Sequence, residues 1–364
     1  MSTTVPTAGL RRVPPTDVTG GDFIGVVTEQ WPLTPRRIPR VTFLVAAWNE
    51  ADNLSEFIDS FNSLDLPDKE LVLCAGGSDA TLELALALRD DSVKVLYQTR
   101  GDGKQAALRR ALGSATGDVI VLADADSVLS SDAIAKLVAP ILSGSETVTT
   151  GISRPKASQL SNPLVLYQYA LQMVGQKRIE RSRYRFALLG RNCAVLRSVL
   201  DEVGGFSEDV WTGTDSFLAR KLVQHGHRIR FVSDSVVETD YETKLWGYCR
   251  QRSRWTRNGI VNSIRFRLYR RLARALVPSM IGLGVFGLPL ISIWFGGSVL
   301  LLWSALIAFV YARHLTYVAT FLKAEQRPLS TAMVGRIALY MWAEWAAQVL
   351  ALLQLPTARL RRSW

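Results

Sequence analysis

Cysteine is scarce in this 364-residue chain: Cys74, Cys193 and Cys249 are three in number and far apart. An odd, scattered set provides neither a disulfide framework nor zinc-ligand spacing, and it suits a reducing cytosol. Residues 1–40 hold Pro, Thr and Gly but no apolar core long enough for a signal peptide, so they read as a flexible or surface-packed extension with no span ahead of the folded part. A glycine-rich phosphate-gripping stretch is also missing near the first strand, where Trp48-Asn49-Glu50-Ala51 stands instead, which counts against a nucleotidyltransferase. Negative charge is in deficit, leaving a formal net charge of +11. Clustered arginine can mark nucleic-acid binding, but no recognition helix or zinc spacing accompanies it. Adjoining apolar runs make membrane lipid the simpler partner, and nucleic acid is not expected.

Hydropathy divides the chain near Arg274. Leu276 to Trp294 is a nearly uncharged stretch of transmembrane length, Phe295-Gly296-Gly297-Ser298 reads as a turn, and Val299 to Tyr311 resumes without charge. A helical hairpin in the bilayer is the expectation, against the alternative of an apolar helical subdomain in a soluble protein. A third run, Ile337 to Leu355, follows Arg336 and contains Glu344. It reads either as a third span with Glu344 turned toward other helices, or as an interfacial helix anchored by Trp342 and Trp345. Arg265, Arg267, Arg270, Arg271 and Arg274 precede the first span, which places the preceding domain on the cytoplasmic side. The basic tail Arg359-Leu360-Arg361-Arg362 suits an inside C-terminus and an even number of spans, so the count stays open between two and three. The expected division is an extension at 1–40, a catalytic domain at 41–260, a basic juxtamembrane segment at 261–275 and a membrane region at 276–364, in a multi-pass membrane protein.

From Val41 onward, short apolar runs alternate with segments of helical spacing. Val41 to Ala46, Leu71 to Cys74, Val93 to Tyr97 and Val119 to Leu122 read as strands, and the pattern implies an α/β fold with a mostly parallel sheet covered by helices on both faces. Such sheets bind ligands at the carboxyl ends of their strands, where Asn49, Ser78, Lys104, Asp124 and Asp126 fall. Asp124 and Asp126 are the most informative of these. A strand ending in Asp-x-Asp delivers two carboxylates to the sheet edge, where hard oxygen ligands can hold a divalent cation against a diphosphate. That points to nucleotide-sugar chemistry. An acidic turn before a capped helix is the plain alternative, with Ser130 or Ser131 as the cap. Ser78 or Asp79 can cap a helix beginning near Thr81, or Ser78 can touch a ligand. Lys104 opens a helix, where a cation is disfavoured unless an anion lies nearby, so it reads as a phosphate contact or a solvated lysine.

The ordered set Val45-Ala46-Ala47-Trp48-Asn49-Glu50, Gly103-Lys104, Asp124-Ala125-Asp126, Thr214-Asp215 and Gln251-x-x-Arg254-Trp255 resembles the family 2 glycosyltransferases, in particular the membrane-integrated branch of cellulose, chitin and hyaluronan synthases. The resemblance covers roughly residues 40 to 260. It implies a GT-A-like nucleotide-sugar-binding domain followed by C-terminal transmembrane helices, and inverting transfer from a UDP-sugar to a glycan or lipid acceptor. It also implies a donor site lined by Ala46, Asn49, Glu50, Lys104 and Asp124. Asp126 would ligate Mg²⁺ or Mn²⁺, Asp124 would meet ribose or the metal, and Asp215 would be the general base. Gln251, Arg254 and Trp255 would lie near the diphosphate and the acceptor, with a helix packed by Trp255 on the sheet and Arg252, Arg254 and Arg257 in solvent as the alternative. The loop Leu188-Leu189-Gly190-Arg191-Asn192 resembles the acceptor-side loop, which Asn192 or Cys193 would line, and Trp211 would face the acceptor. Two departures stand out. Ala75-Gly76 replaces an acidic pair found in many relatives, so Asp79 would have to supply the contact to uracil, and Thr214 stands where relatives often have Glu or Asp. The membrane part is small beside the long-chain synthases, so product length is open between a polysaccharide and a single glycolipid.

Overall fold

The computed structural model describes residues 39–179, 182–210 and 212–356. The expectations for residues 1–38, for Trp211 and for the basic tail lie outside the described residues. Strands β1 (Val41–Trp48), β2 (Lys69–Gly76), β3 (Val93–Tyr97) and β4 (Val119–Asp124) alternate with helices α1 (Ala51–Asn62), α2 (Thr81–Ala87) and α3 (Gly103–Ser114). Next come β5 (Ser127–Val128), α4 (Ser131–Leu142), β6 (Val148–Pro155), a 3-10 turn (Ala157–Ser161), α5 (Pro163–Ile179), β7 (Tyr184–Arg185), β8 (Cys193–Leu196), α6 (Arg197–Glu202), α7 (Thr214–Gln224) and β9 (Ile229–Thr239). The chain closes with α8 (Leu245–Arg265), α9 (Tyr269–Phe295), α10 (Gly297–Ala324) and α11 (Thr331–Leu353).

One mixed sheet runs β3-β2-β1-β4-β8-β6-β9-β5, with β7 on the side of β9. The four strands expected from the sequence are its parallel half: β1 pairs with β2 and β4, and β2 pairs with β3. β8 is antiparallel to both β4 and β6, while β6 and β9 are parallel. Both faces are covered. Phe43, Val45, Leu54, Phe57, Leu71 and Val121 fill one layer; Leu44, Val72, Leu108, Ile120, Phe206 and Leu218 fill the other. Strands buried on both faces explain why β1, β2 and β4 are nearly continuous apolar runs with no alternation.

The parallel half is tied at its entry edge by a buried carboxylate. Glu70, 2% exposed, accepts from Thr42 Oγ1 at 2.5 Å, Thr116 N–H at 2.5 Å, Thr116 Oγ1 at 2.8 Å and Lys94 Nζ at 3.0 Å. Burial alone would raise this carboxyl, but the hydrogen bonds outweigh it and hold it at about 2.

Two helices are long and apolar enough to cross a membrane, Tyr269–Phe295 and Gly297–Ala324, joined at Gly296, where φ is +79°. Only 17% and 11% of their most apolar stretches are buried, so they are not core helices of a soluble domain by packing. Trp294 and Phe295 at the tip are 86% and 71% exposed. The second helix is longer than its uncharged run, because its C-terminal part leaves the hairpin partner and packs Val318, Phe321 and Leu322 against Leu164 and Tyr167 of α5. The third apolar run falls in α11. Its Glu344 faces other helices, as one of the two readings required. Its Trp345 is not an interfacial anchor: it is 5% exposed and packed with Val285, Val310 and Met341.

Glu70→Gln is expected to lower unfolding stability by about 1–3 kcal/mol, because the donors of Thr116 and Lys94 lose a charged acceptor. The native carboxyl lies below its unfolded value, so its stabilisation is present above about pH 4.5 and is lost as pH falls toward about 2. Thermal melts of wild type and variant across that window should converge at the acid end.

Candidate active site

The carboxyl ends of β1, β2 and β4 meet at one edge, and the turns after β1 and β2 each hold a residue at positive φ. Asn49 follows β1 with φ at +58°, a conformation Asn tolerates better than most residues. Its side-chain oxygen accepts the Ser78 N–H at 2.7 Å, locking the β1 turn to the β2 turn. Gly77 between them has no room for a side chain: a Cβ would stand 2.3 Å from that oxygen. Asp79 is engaged in the same junction. It accepts from Thr81 N–H at 3.1 Å and Thr81 Oγ1 at 2.6 Å with one oxygen, and from Ala51 N–H at 3.2 Å with the other. Asp79 thereby ties the first residue of α2 to the first residue of α1.

Asp124 ends β4, in register with Ala46 of β1. Lys104, from the start of α3, forms an ion pair with Asp124 Oδ1, and Arg191 Nε lies 3.7 Å from Asp124 Oδ2. Lys104 is therefore paired with a strand-end carboxylate and not left to solvent alone. Asp126, two residues on, accepts from Thr239 Oγ1 at 3.1 Å, and Arg191 Nη1 donates to the same hydroxyl at 2.7 Å. Glu50 sits among these carboxylates and accepts from Asn53 at 3.1 Å. Burial, and then the charges of Asp126, Asp124 and Asp240, push its carboxyl up to about 7.

The electrostatics separate the aspartate pair. Burial opposes ionisation of both, yet Lys104, Arg191 and Arg254 outweigh it at Asp124 and hold that carboxyl below its usual range. At Asp126 burial wins over Arg191, helped by Asp124 and Asp240, and the carboxyl is held above its usual range. Asp124 is thus matched by cations within the protein, whereas Asp126 is under-compensated. Hard carboxylate oxygens with unmatched negative charge fit a divalent cation, and Asp126 fits it better than Asp124. Among the described residues no group of three or more His, Cys, Asp or Glu is gathered to hold a metal by itself, so such an ion would need further oxygens from a ligand or water.

Asp215 lies in the first turn of α7, after Gly213 at φ +68°. Its carboxylate accepts the Ser216 N–H at 2.8 Å, and it abuts Gly190, where an added Cβ would stand 3.0 Å from the Asp215 Cβ. The charge of Asp215 is felt by Lys104, Arg191 and Arg254, the same three cations that face Asp124. The strand-end pair, Asp215 and Arg254 therefore share one cleft. Gln251 and Trp255 lie on α8 with Arg254; Gln251 is half-buried and the Trp255 ring is 44% exposed.

Several expectations require correction. Trp255 does not pack α8 on the sheet. Arg252 and Arg257 do not face solvent: Arg252 pairs with Glu344, and Arg257 is 4% exposed. Asn192 and Cys193 do not line the acceptor loop. Asn192 is buried, donating to Ile152 O at 2.8 Å and Ser235 O at 3.0 Å, and Cys193 is enclosed at the start of β8. The residue of that loop that reaches the strand-end carboxylates is their neighbour Arg191, which the sequence motifs did not single out. An arginine directly before a buried Asn-Cys strand was the available signal. Lys156 was also missed; it pairs with Glu56 at 2.7 Å and Asp240 at 3.3 Å beside the acidic group.

The strand-end carboxylate pair thus faces three cations, with a further carboxylate within their reach, and sequence comparison supplies the family. Residues 39–258 match the family described as Glycosyltransferase like family 2, and the chain belongs to that family. It is 25% identical over 210 residues to the O-antigen chain rhamnosyltransferase RfbN of Salmonella typhimurium, covering 54% of this chain and 65% of that protein. It is also 25% identical over 227 residues to a poly-beta-1,6-N-acetyl-D-glucosamine synthase of Staphylococcus aureus, covering 60% of this chain and 54% of that one. The chain thus matches less than two thirds of the length of these relatives. A mannosyltransferase from Pyrobaculum calidifontis, solved with GDP-Man and Mn²⁺, has a similar fold, with a TM-score of 0.57 at 21% identity over 90% of both chains.

Arg191→Gln is expected to reduce sugar transfer by on the order of 100-fold, since Asp124, Asp126 and the Thr239 hydroxyl lose a shared cation. Steady-state rates with circular dichroism as a folding control measure this. Gly190→Ala should also be impaired, because the new methyl displaces Asp215.

Proposed function

We propose that this protein is an inverting, metal-dependent membrane glycosyltransferase that moves a sugar from a UDP-sugar to the hydroxyl of a glycan or lipid acceptor. The observation that carries the reading is the shared cleft of Asp124, Asp126, Asp215, Lys104, Arg191 and Arg254. Family membership supports glycosyl transfer, and the GT-A-like sheet supports a nucleoside diphosphate sugar as donor.

In this reading Lys104, Arg191 and Arg254 meet the diphosphate, and Asn49 and Glu50 lie along the nucleoside side of the same edge. Asp126, with Asp124, is the place for Mg²⁺ or Mn²⁺, which when bound neutralises charge on the departing diphosphate. Donor binding would draw Lys104 and Arg191 partly away from Asp124, so their present ion pairs hold the cations in place in advance. Asp215 accepts the proton of the acceptor hydroxyl as its oxygen bonds to the anomeric carbon. The bond from that carbon to the diphosphate oxygen breaks on the opposite face, and the electron pair leaves with UDP. A single displacement needs one base and inverts configuration.

The exposed Trp255 face suits stacking of an acceptor sugar, and with the Gln-x-x-Arg-Trp spacing it favours an oligosaccharide or polysaccharide product. The small apolar hairpin favours the second reading, in which a membrane lipid such as diacylglycerol or a polyprenyl phosphate receives the sugar. In both, α9 and α10 lie in the bilayer with the sheet on the cytoplasmic side.

Membranes containing the protein are expected to release UDP from one member of a UDP-sugar panel with Mg²⁺ or Mn²⁺, and to stop when chelator is added. Resolving products by size separates a ladder of oligomers from one glycolipid. Asp126→Asn and Asp215→Asn should each lower transfer by at least about 100-fold. Unchanged transfer in a folded Asp215→Asn protein would remove Asp215 as the base.

A further inference from the structure

Helix α8 carries the Gln251, Arg254 and Trp255 set, and an adjoining face of the same helix is fastened to α11 by a ladder of polar contacts. Glu344 of α11, 8% exposed, takes a forked pair from Arg252: Nε reaches its two oxygens at 3.0 and 2.9 Å, and Nη2 pairs with Oε1. Tyr248 Oη also donates to Glu344, and Gln348 Nε2 donates to it at 3.1 Å. One turn further on, Thr256 Oγ1 donates to Gln348 Oε1 at 2.8 Å, and then Ser253 Oγ donates to Gln354 Oε1 at 3.2 Å. A carboxylate among apolar helices is retained only if its charge is matched, and here the match comes from inside the Gln-x-x-Arg-Trp segment.

The other face of α8 passes this constraint toward the reacting groups. The Arg252 guanidinium lies 5.7 Å from the centre of the Trp255 ring. Thr212 hydrogen-bonds Asn258, and Gly213 is so closely packed that a Cβ would stand 2.8 Å from Asn262 Nδ2 and 3.3 Å from Asn258 Cβ. Thr212 and Gly213 immediately precede Thr214-Asp215. The path is contiguous: Glu344 to Arg252, Arg252 to Trp255 and the body of α8, and α8 to the turn that presents Asp215.

We infer that Glu344 is a positioning residue for glycosyl transfer, setting the register of α8 so that Arg254, Trp255 and the Asp215 turn face the donor together. This rests on the transferase reading above. The apolar C-terminal helix is then part of the catalytic apparatus and not only an attachment to it. Most donor contacts, from Lys104, Asp124, Asp126 and Arg191, come from outside α8 and only Arg254 comes from it, so loss of Glu344 should change donor affinity far less than the step that needs base, acceptor and leaving group aligned.

The test uses the full chain in nanodiscs with the UDP-sugar it turns over. Glu344→Gln, of the same size, is expected to lower kcat about tenfold or more while the donor KM stays within about threefold. Arg252→Lys, which keeps the charge but loses the fork, should reproduce this split. Tyr248→Phe, which removes a hydrogen bond to Glu344 and leaves the ion pair, should keep kcat within about twofold and provides the structural control. Thermal melting is followed for all three. Full kcat in Glu344→Gln overturns the inference, and so does a kcat loss in Tyr248→Phe equal to that of Glu344→Gln, or a loss that simply tracks melting temperature. No transfer by the unaltered chain with any UDP-sugar overturns the UDP-sugar transferase reading and this inference with it; a kcat left unchanged by Glu344→Gln overturns this inference alone.

Discussion

Burial of several carboxylates together at the strand ends is the constraint around which the site is built. Burial first, and then the charges of Asp126, Asp124 and Asp240, push the Glu50 carboxyl up to about 7. Lys104, Arg191 and Arg254 reach in from α3, the β8 approach and α8, and each meets Asp124. Compensation is uneven by design of the fold: Asp124 receives most of it and Asp126 little. That asymmetry makes two aspartates one residue apart chemically distinct, one held below and the other above the usual carboxylate range.

Sheet topology decides who can take part. A parallel strand delivers the loop that follows it to the carboxyl edge; an antiparallel strand inserted beside it delivers the loop that precedes it. Because β8 runs antiparallel to β4, residues 186–192 arrive at the same edge as the Asp124 turn. Arg191 thereby meets Asp124, and Gly190 lies against Asp215.

The parallel half of the fold was legible because its strands are buried on both faces and appear as unbroken apolar runs between helical spacings. The Asp124 and Asp126 pair was legible for the same reason: it ends such a run. Less could be read beyond β4. Strands β5 and β7 have two residues each, too short for any pattern, and β8 is short and follows a loop of mixed character. Arg191 was passed over because its function depends on the antiparallel reversal, which no local signal announces. Asn192 and Cys193 were placed at the surface by resemblance alone, although a polar pair can be buried when its hydrogen bonds are met by a neighbouring strand. Glu344 was visible as an anomaly in an apolar run. Its partner, Arg252, lies 92 residues away in sequence, beyond the reach of periodicity.

The core under α5 does not respect the boundary between soluble and apolar segments. Leu164, Tyr167 and Tyr248 share one cluster with Val318, Phe321, Ile337 and Tyr340, so the hydropathy change near Arg274 is a boundary of composition and not of packing. Anyone preparing the sheet alone for crystallisation by stopping after α8 would uncover that cluster and leave the Arg252 charge without its carboxylate. The protein is better regarded as one folding unit with an apolar hairpin projecting from it.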